Sequence, residues 1–271
     1  MNRRLTLSGL AAALAIACAA QAAPDPITLG VNAGVTTRDT IKAQSEKFAP
    51  LVQGASRALR VPIVIEPVRS PEVPKAVREK RIDLLIIHTN AALAAVTKEG
   101  YTLLALSRDL KDDRVHFMAA KNGPATVAGC KGKTIWTAGA RSYATEVGRA
   151  VLRANGVGSG EFDLKVTKYQ DAIPFMLENG FGDVGMTRVE SIARAWERQG
   201  GRILHSTERL PVYALVAKPG SDAALMKRVG DWMVSMSQTP EGEAALAPGG
   251  FKGFREVAAG ESEALARWFG L

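Results

Sequence analysis

Residues 129–157, GCKGKTIWTAGARSYATEVGRAVLRANGV, decide the fold class of this chain. Lys133-Thr134-Ile135-Trp136-Thr137 has the β-branched and aromatic content of a buried strand. Ala138-Gly139-Ala140-Arg141-Ser142 is turn material, and Val147, Ala150, Val151 and Leu152 then fall at helical spacing. Ser142 stands where an N-cap belongs and Gly156 where a C′ glycine belongs. The stretch reads as strand, polar turn, amphipathic helix. Such a turn points free backbone N–H groups at whatever lies above it, and the amino end of the helix favours an anion there. In an exported chain of this length, that unit points to ligand binding rather than catalysis.

The same rhythm runs outward in both directions. Strands are expected at residues 27–31, 61–65, 82–87, 101–106, 162–166, 182–186 and 211–217. Helices are expected from about 38 to 59, from Ser70-Pro71 to near Arg81, after His88-Thr89-Asn90, and over 171–179 and 190–199. The end of the chain is helical: 222–237, 240–246 behind Thr239, and a last turn or two near 263–269. The apolar segment 116–120 follows the charged turn Lys111-Asp112-Asp113-Arg114 and precedes Asn122-Gly123-Pro124, and it reads as a crossing between two domains. Alternating strands and helices predict an α/β fold, with mixed or parallel sheets covered by helices. No internal repeat or low-complexity linker interrupts the pattern.

The first residues carry an export signal. Met1-Asn2-Arg3-Arg4 is a basic start, residues 5–19 are an apolar run too short to stay in a bilayer, and Ala20-Gln21-Ala22 is a small-x-small cleavage site. A signal peptide over 1–22, a mature chain from Ala23 and a periplasmic location are the expectation. Two variants compete: lipidation at Cys18, which has Ala rather than Leu three positions before it, and a twin-arginine reading of Arg3-Arg4, where Thr6 replaces a bulky apolar residue. The formal charge of +8 falls to +6 without Arg3 and Arg4. A basic balance suits a small anionic ligand or simply reflects charge scattered over solvated helix faces. Export, and the lack of Lys/Arg clusters interleaved with aromatics, argue against nucleic acid. The mature chain keeps Cys130 alone, so no intramolecular disulfide forms and the thiol is expected to fill an apolar slot. No later apolar run is long enough to span a membrane. There is no Gly-x-Ser-x-Gly elbow, Walker-type loop or His-Glu-x-x-His pair, and His88, His116 and His205 are spread along the chain. No enzyme activity, metal or cofactor is expected.

An ordered set of phrases carries a resemblance. Ile82-Asp83-Leu84-Leu85, Cys130-Lys131-Gly132-Lys133-Thr134, Asn179-Gly180-Phe181-Gly182-Asp183, and Thr239-Pro240-Glu241-Gly242 with Gly250-Phe251 recur in this order elsewhere. The chain from about 27 to 257 resembles the phosphate/phosphonate-type substrate-binding proteins of ABC importers, within the type II periplasmic binding superfamily. The resemblance implies a two-lobed clamshell, with lobe I from 23–117 and 212–271 and lobe II from 118–211. It further implies a small, anionic ligand, phosphate- or phosphonate-like or another oxyanion, held between the lobes and delivered to an ABC permease by a monomeric protein. A periplasmic sensor or accessory protein using the same clamshell is the alternative.

Ligands of open α/β sheets sit at the carboxyl ends of strands, which selects the site candidates. In the first lobe these are Thr36 and Thr37, which also suit plain N-caps, and His88, Thr89 and Asn90. In the second they are Arg141 as a bidentate oxyanion grip, Ser142 as a donor, Tyr143 as a stacking or hydrogen-bonding ring, and Tyr169, Thr187 and Arg188 at later strand ends. Asp183 is expected to fix a turn, and Trp136, Trp196, Trp232 and Trp268 to pack. One departure qualifies the resemblance. Phosphonate binders open this helix with a compact Ser-Thr-Ser-Gly phrase, whereas this chain has Arg141-Ser142-Tyr143-Ala144. Only Ser142 keeps a comparable hydroxyl, and the bulk of Tyr143 and the charge of Arg141 reshape the pocket.

Overall fold

The computed structural model describes residues 25–32, 41–108 and 114–271. The signal segment 1–22 and the turn carrying Thr36 and Thr37 lie outside the described residues.

The apolar runs assemble into two mixed sheets. In the first, β1 (Ile27–Asn32) is parallel to β2 (Ile63–Val68) and to β3 (Leu84–His88). A strand from far along the chain, β10 (Tyr213–Ala217), inserts antiparallel between β3 and β4 (Thr102–Ser107), and β11 (Phe254–Arg255) closes the edge beside β4. In the second, β6 (Thr134–Ala138) is parallel to β7 (Asp163–Thr167) and β8 (Val184–Thr187), while β5 (His116–Ala119) is antiparallel to β8 and to β9 (Arg202–Ser206). The first sheet thus draws its strands from both ends of the chain and the second from its middle.

Each sheet is covered on both faces, which explains why its central strands are continuously apolar rather than alternating. On the first sheet, α1 (Ile41–Leu59), α7 (Ala223–Met236) and α8 (Pro240–Leu246) bury Phe48, Leu51, Val229, Met233 and Leu246 against one face. The other face takes α2 (Val73–Glu79) and α3 (Thr89–Glu99) through Val73, Val77, Ala92 and Ala95. On the second sheet, α4 (Tyr143–Ala154) packs Val147, Val151 and Leu152 on one face. The opposite face is filled by Ile173 and Leu177 of α5 (Ile173–Glu178) and Trp196 of α6 (Glu190–Arg198). The helix α4 lies close to its sheet because Gly148 faces Met186, and a side chain there would collide with the Met186 sulfur.

The deciding stretch folds as read, a strand feeding α4 through a polar turn. Ser142 accepts from the Thr145 amide, and Gly156 takes φ +77° just past the helix, with Val157 N–H bonded back to Leu152 O at 2.9 Å. Elsewhere the sequence reading needs correction. The expected crossing at 116–120 is a strand: Phe117 and Met118 are fully buried in the two layers on opposite faces of the second sheet. This strand, β5, pairs along its length with β8 and β9. The edge strands β9 and β11 were not anticipated, and Ser70-Pro71 opens a 3-10 turn (Ser70–Glu72) ahead of the short α2. The last helix, α9 (Glu261–Phe269), is longer than one or two turns.

Candidate functional site

The parallel strands of both sheets end toward a common space, where α3 and α4 begin within reach of one carbonyl. Thr89, the first residue of α3, is fully buried and donates its hydroxyl to Pro211 O at 2.6 Å. Its amide donates to Val212 O at 2.9 Å. Tyr143, the first residue of α4, is 2% exposed and donates its hydroxyl to the same Pro211 O at 3.3 Å. Both groups therefore bind the chain segment that returns from the second sheet to the first.

Three rings stand over this junction. His88, closing β3, stacks on Tyr213 with centroids 4.9 Å apart and leans on Tyr143 at 5.6 Å. Tyr213 meets Phe251 edge-on at 5.0 Å. Burial pushes the His88 imidazole down to about 3, assisted by the positive charge of Arg188. At neutral pH His88 is thus an uncharged ring with one donor and one acceptor nitrogen. Neither nitrogen has a hydrogen-bond partner among the described residues.

Arg188 follows β8 directly, on the second lobe. Its amide donates to Gln170 Oε1 at 2.9 Å, and the Thr187 hydroxyl donates to the same oxygen at 2.8 Å. Because an amide N–H can only donate, the orientation of the Gln170 side chain is fixed, with its NH₂ group directed away from both contacts. The Thr187 oxygen in turn accepts from Val189 N at 3.1 Å. The hydroxyl of Thr187 is therefore fully engaged in locking the end of β8. The guanidinium of Arg188 makes no ion pair with the described residues, in a half-buried position from which its charge reaches His88.

Ser142 is engaged in the same way. Thr145 Oγ1 gives its proton to Gly139 O at 2.7 Å, so it accepts from the hydroxyls of Ser142 and Thr137, each at 2.9 Å. Ser142 Oγ also takes the Thr145 amide at 3.3 Å, which leaves Ser142 as a cap inside a closed network. Arg141 is exposed on the turn before it. Tyr169 is 41% exposed, with Lys168 Nζ 5.2 Å from its ring centre. Asn90, half-buried at the second position of α3, leaves its Oδ1 buried without a partner. Asn32 at the end of β1 accepts from Ser70 Oγ at 2.9 Å.

Of the residues the sequence pointed to, the structure gathers His88, Thr89 and Tyr143 at one junction, with Asn90 beside it and Arg188 within electrostatic range. Ser142 caps α4 and Thr187 ends β8, and the hydroxyls of both are turned into the protein. Arg141 and Tyr169 stand exposed on the second lobe, and Thr36 and Thr37 are not described. Gln170, Pro211 and Tyr213, which contact these residues, were not among the candidates drawn from the sequence. Gln170 and Tyr213 had a signal, since each sits beside a strand end, but Pro211 matters only through partners 122 and 68 residues away.

Other groups lie outside this space. His116 Nδ1 is 2.8 Å from Ser206 Oγ, and Nε2 is 2.9 Å from Glu190 without hydrogen-bond alignment. Burial lowers the His116 pKa, against the opposing pull of Glu190. Cys130 is buried and its pKa is pushed up to about 11 by burial and by the charge of Asp183, so the thiol stays protonated. Open surface grooves at Thr102, Lys218 and Asp231 and at Lys131, Glu161 and Asp163 lie at the opposite, amino ends of the parallel strands. Among the described residues no group of three or more His, Cys, Asp or Glu is placed to hold a metal, and no helix is long and apolar enough to cross a membrane.

Several solved structures share this architecture. A Xanthomonas citri protein, XAC2383, solved with ATP, superposes with a TM-score of 0.72 at 18% identity, over 90% of this chain and 97% of that one. PhnD1 of Prochlorococcus marinus, in complex with methylphosphonate, gives 0.62 at 15% identity, over 90% and 96%. The alkanesulfonate-binding protein SsuA of Xanthomonas axonopodis pv. citri, bound to MOPS, gives 0.56 at 16% identity, over 92% and 93%. At these identities the likeness is one of fold. No curated protein sequence matches the chain. The sequence profile described as "ABC transporter, phosphonate, periplasmic substrate-binding protein" matches residues 33–261, and with that match over most of its length the chain belongs to this family of periplasmic transport proteins.

Proposed function

We propose that this protein captures a small anionic solute, a phosphonate, sulfonate or related oxyanion, between its two lobes and hands it to an ABC permease. It does so as a monomeric binding protein rather than an enzyme, exported by a cleaved signal peptide over residues 1–22. The observation that carries the reading is Arg188: a guanidinium with no ion pair among the described residues, whose backbone amide is bonded to Gln170, at a strand end from which its charge reaches an uncharged His88 on the other lobe. A cation at an anchored strand end, with no protein anion beside it among the described residues, is a ready oxyanion grip. Around it, the Gln170 amide group and a His88 ring nitrogen supply donors, Asn90 Oδ1 supplies an acceptor, and Arg141 and Tyr169 close the rim. Thr89, Ser142, Tyr143 and Thr187 hold this arrangement in shape. Lobe I takes the chain up to β4 and from β10 onward, lobe II runs from β5 to β9, and Thr36 and Thr37 remain further ligand candidates. Relatives of this fold solved with methylphosphonate and with MOPS fit the same ligand chemistry.

A thermal-shift screen of the mature protein against phosphate, alkylphosphonates, alkylsulfonates, carboxylates and amino acids tests the reading. A ligand at a hundred times its Kd stabilises the fold by about 2.7 kcal/mol, a readily visible shift. Stabilisation by phosphorus or sulfur oxyanions supports the proposal. Stabilisation only by neutral or cationic solutes overturns it.

A further inference from the structure

The helix α9 belongs to the first lobe by its point of departure and to both lobes by its packing. Its amino end is anchored in lobe I: Arg255 of β11 grips the Glu261 carboxylate with two bonds of 2.8 and 2.7 Å, and Glu261 also accepts from Ala258 N at 3.0 Å. Leu265 packs on the cluster of Val73, Val77, Ala92 and Ala95 beneath α2 and α3. Its carboxyl end is anchored in lobe II. Trp268 and Phe269, edge to face at 5.0 Å, pack against the cluster holding Val147, Val151 and Leu152 of α4. Arg153 of α4 donates to Trp268 O at 2.8 Å. Besides the two chain crossings, β4 to β5 and β9 to β10, α9 is therefore a third link between the lobes. It is made of side-chain contacts, so unlike the crossings it can let go.

These contacts constrain motion. At about 1.5 Å per residue α9 is a stiff rod of roughly 13 Å, and it touches α3 and α4 together. The ring contact of His88 in lobe I with Tyr143 in lobe II records lobes that meet. Separating those rings turns α3 against α4, and a rod gripped by both cannot follow two bodies. Either Leu265 leaves α3, or the Trp268–Phe269 pair and Arg153 part. The charge-reinforced pair with Glu261 favours keeping the lobe I end. We propose that α9 is a strap that holds the lobes together before ligand arrives, and that its release from α4 permits opening.

Small-angle X-ray scattering from the ligand-free protein tests this directly. Trp268→Ala is expected to raise the radius of gyration and the maximum dimension relative to wild type, with one cooperative unfolding transition retained. Arg153→Gln, at an exposed helix position, removes the bond to Trp268 O without opening a cavity and is expected to give a smaller change in the same direction. Its scattering decides the question if Trp268→Ala does not fold. Profiles superimposable on wild type, with only a lowered Tm, overturn the strap and leave α9 as a stabilising cover. No ligand enters the experiment, so its outcome is independent of the proposed function.

Discussion

The strand ends of the two lobes carry opposite kinds of group. Lobe I presents neutral side chains that are mostly engaged: Asn32 bonded to Ser70, Thr89 to Pro211, and His88 stacked on Tyr213. Lobe II presents cations, the half-buried Arg188 and the exposed Arg141, on turns whose hydroxyls are already satisfied. The contrast teaches where specificity and where shape are stored. A hydroxyl that has a carbonyl partner positions a helix end, whereas a guanidinium without a carboxylate partner is available to a ligand.

The sharpest way to break this contrast is to compare the two arginines. Arg188→Ala removes a charge-assisted contact of about 1.5–3 kcal/mol, which is about 10- to 100-fold in anion affinity. Arg141→Ala, at an exposed turn where charge interactions are worth about 1 kcal/mol at most, is expected to cost about fivefold or less. Calorimetry with whichever oxyanion the thermal screen identifies measures both. A larger loss at Arg141 would move the grip to the rim and reverse the assignment.

Next in size is the engaged hydroxyl of lobe I. Thr89→Val keeps the shape but removes the bond to Pro211 O, leaving that carbonyl only the longer contact from Tyr143. The expected loss of stability is about 1–2 kcal/mol, read by urea unfolding. If Thr89→Val instead weakened ligand binding while stability held, Thr89 would belong with the ligand and not with the hinge.

A pH dependence is absent at neutral pH and emerges only in acid. The unfolded His88 imidazole takes its proton near pH 6.5, but the folded one only near 3. Between those values the unfolded chain binds a proton that the native state does not, so stability is full above pH 6.5 and declines as pH falls toward 3. His116, lowered in the same direction, adds to this slope in both proteins and cancels in the comparison. His88→Gln is expected to flatten the acid limb of Tm against pH, and an unchanged limb would show that His88 titrates as in water.

How much was legible in the sequence varied with the range of the interactions involved. The unit from β6 through α4 was readable because its cap, its apolar stripe and its C′ glycine act within a few residues of one another. The segment 116–119 was misplaced, since HFMA is equally apolar as a crossing and as a central strand, and only pairing with β8 and β9 distinguishes them. The strand β9 was overlooked because RILHS lies on an edge and is only partly buried, so its pattern lacks contrast. Ser142 was correctly read as a helix cap and Thr187 as following a strand, but the direction of a hydroxyl proton depends on the neighbours that fold around it.

By itself the sequence determined the α/β class, the order of most elements and the positions of most strand ends, because periodicity, capping and turn chemistry are local properties. The tertiary structure alone decided which candidate hydroxyls are turned into the protein. It brought Pro211 to Thr89 and Tyr143, Gln170 to Arg188, and α9 across both lobes, contacts made between residues far apart in the chain. Such contacts form only after the sheets have packed. No local pattern encodes them, since the free energy that selects them belongs to the assembled core.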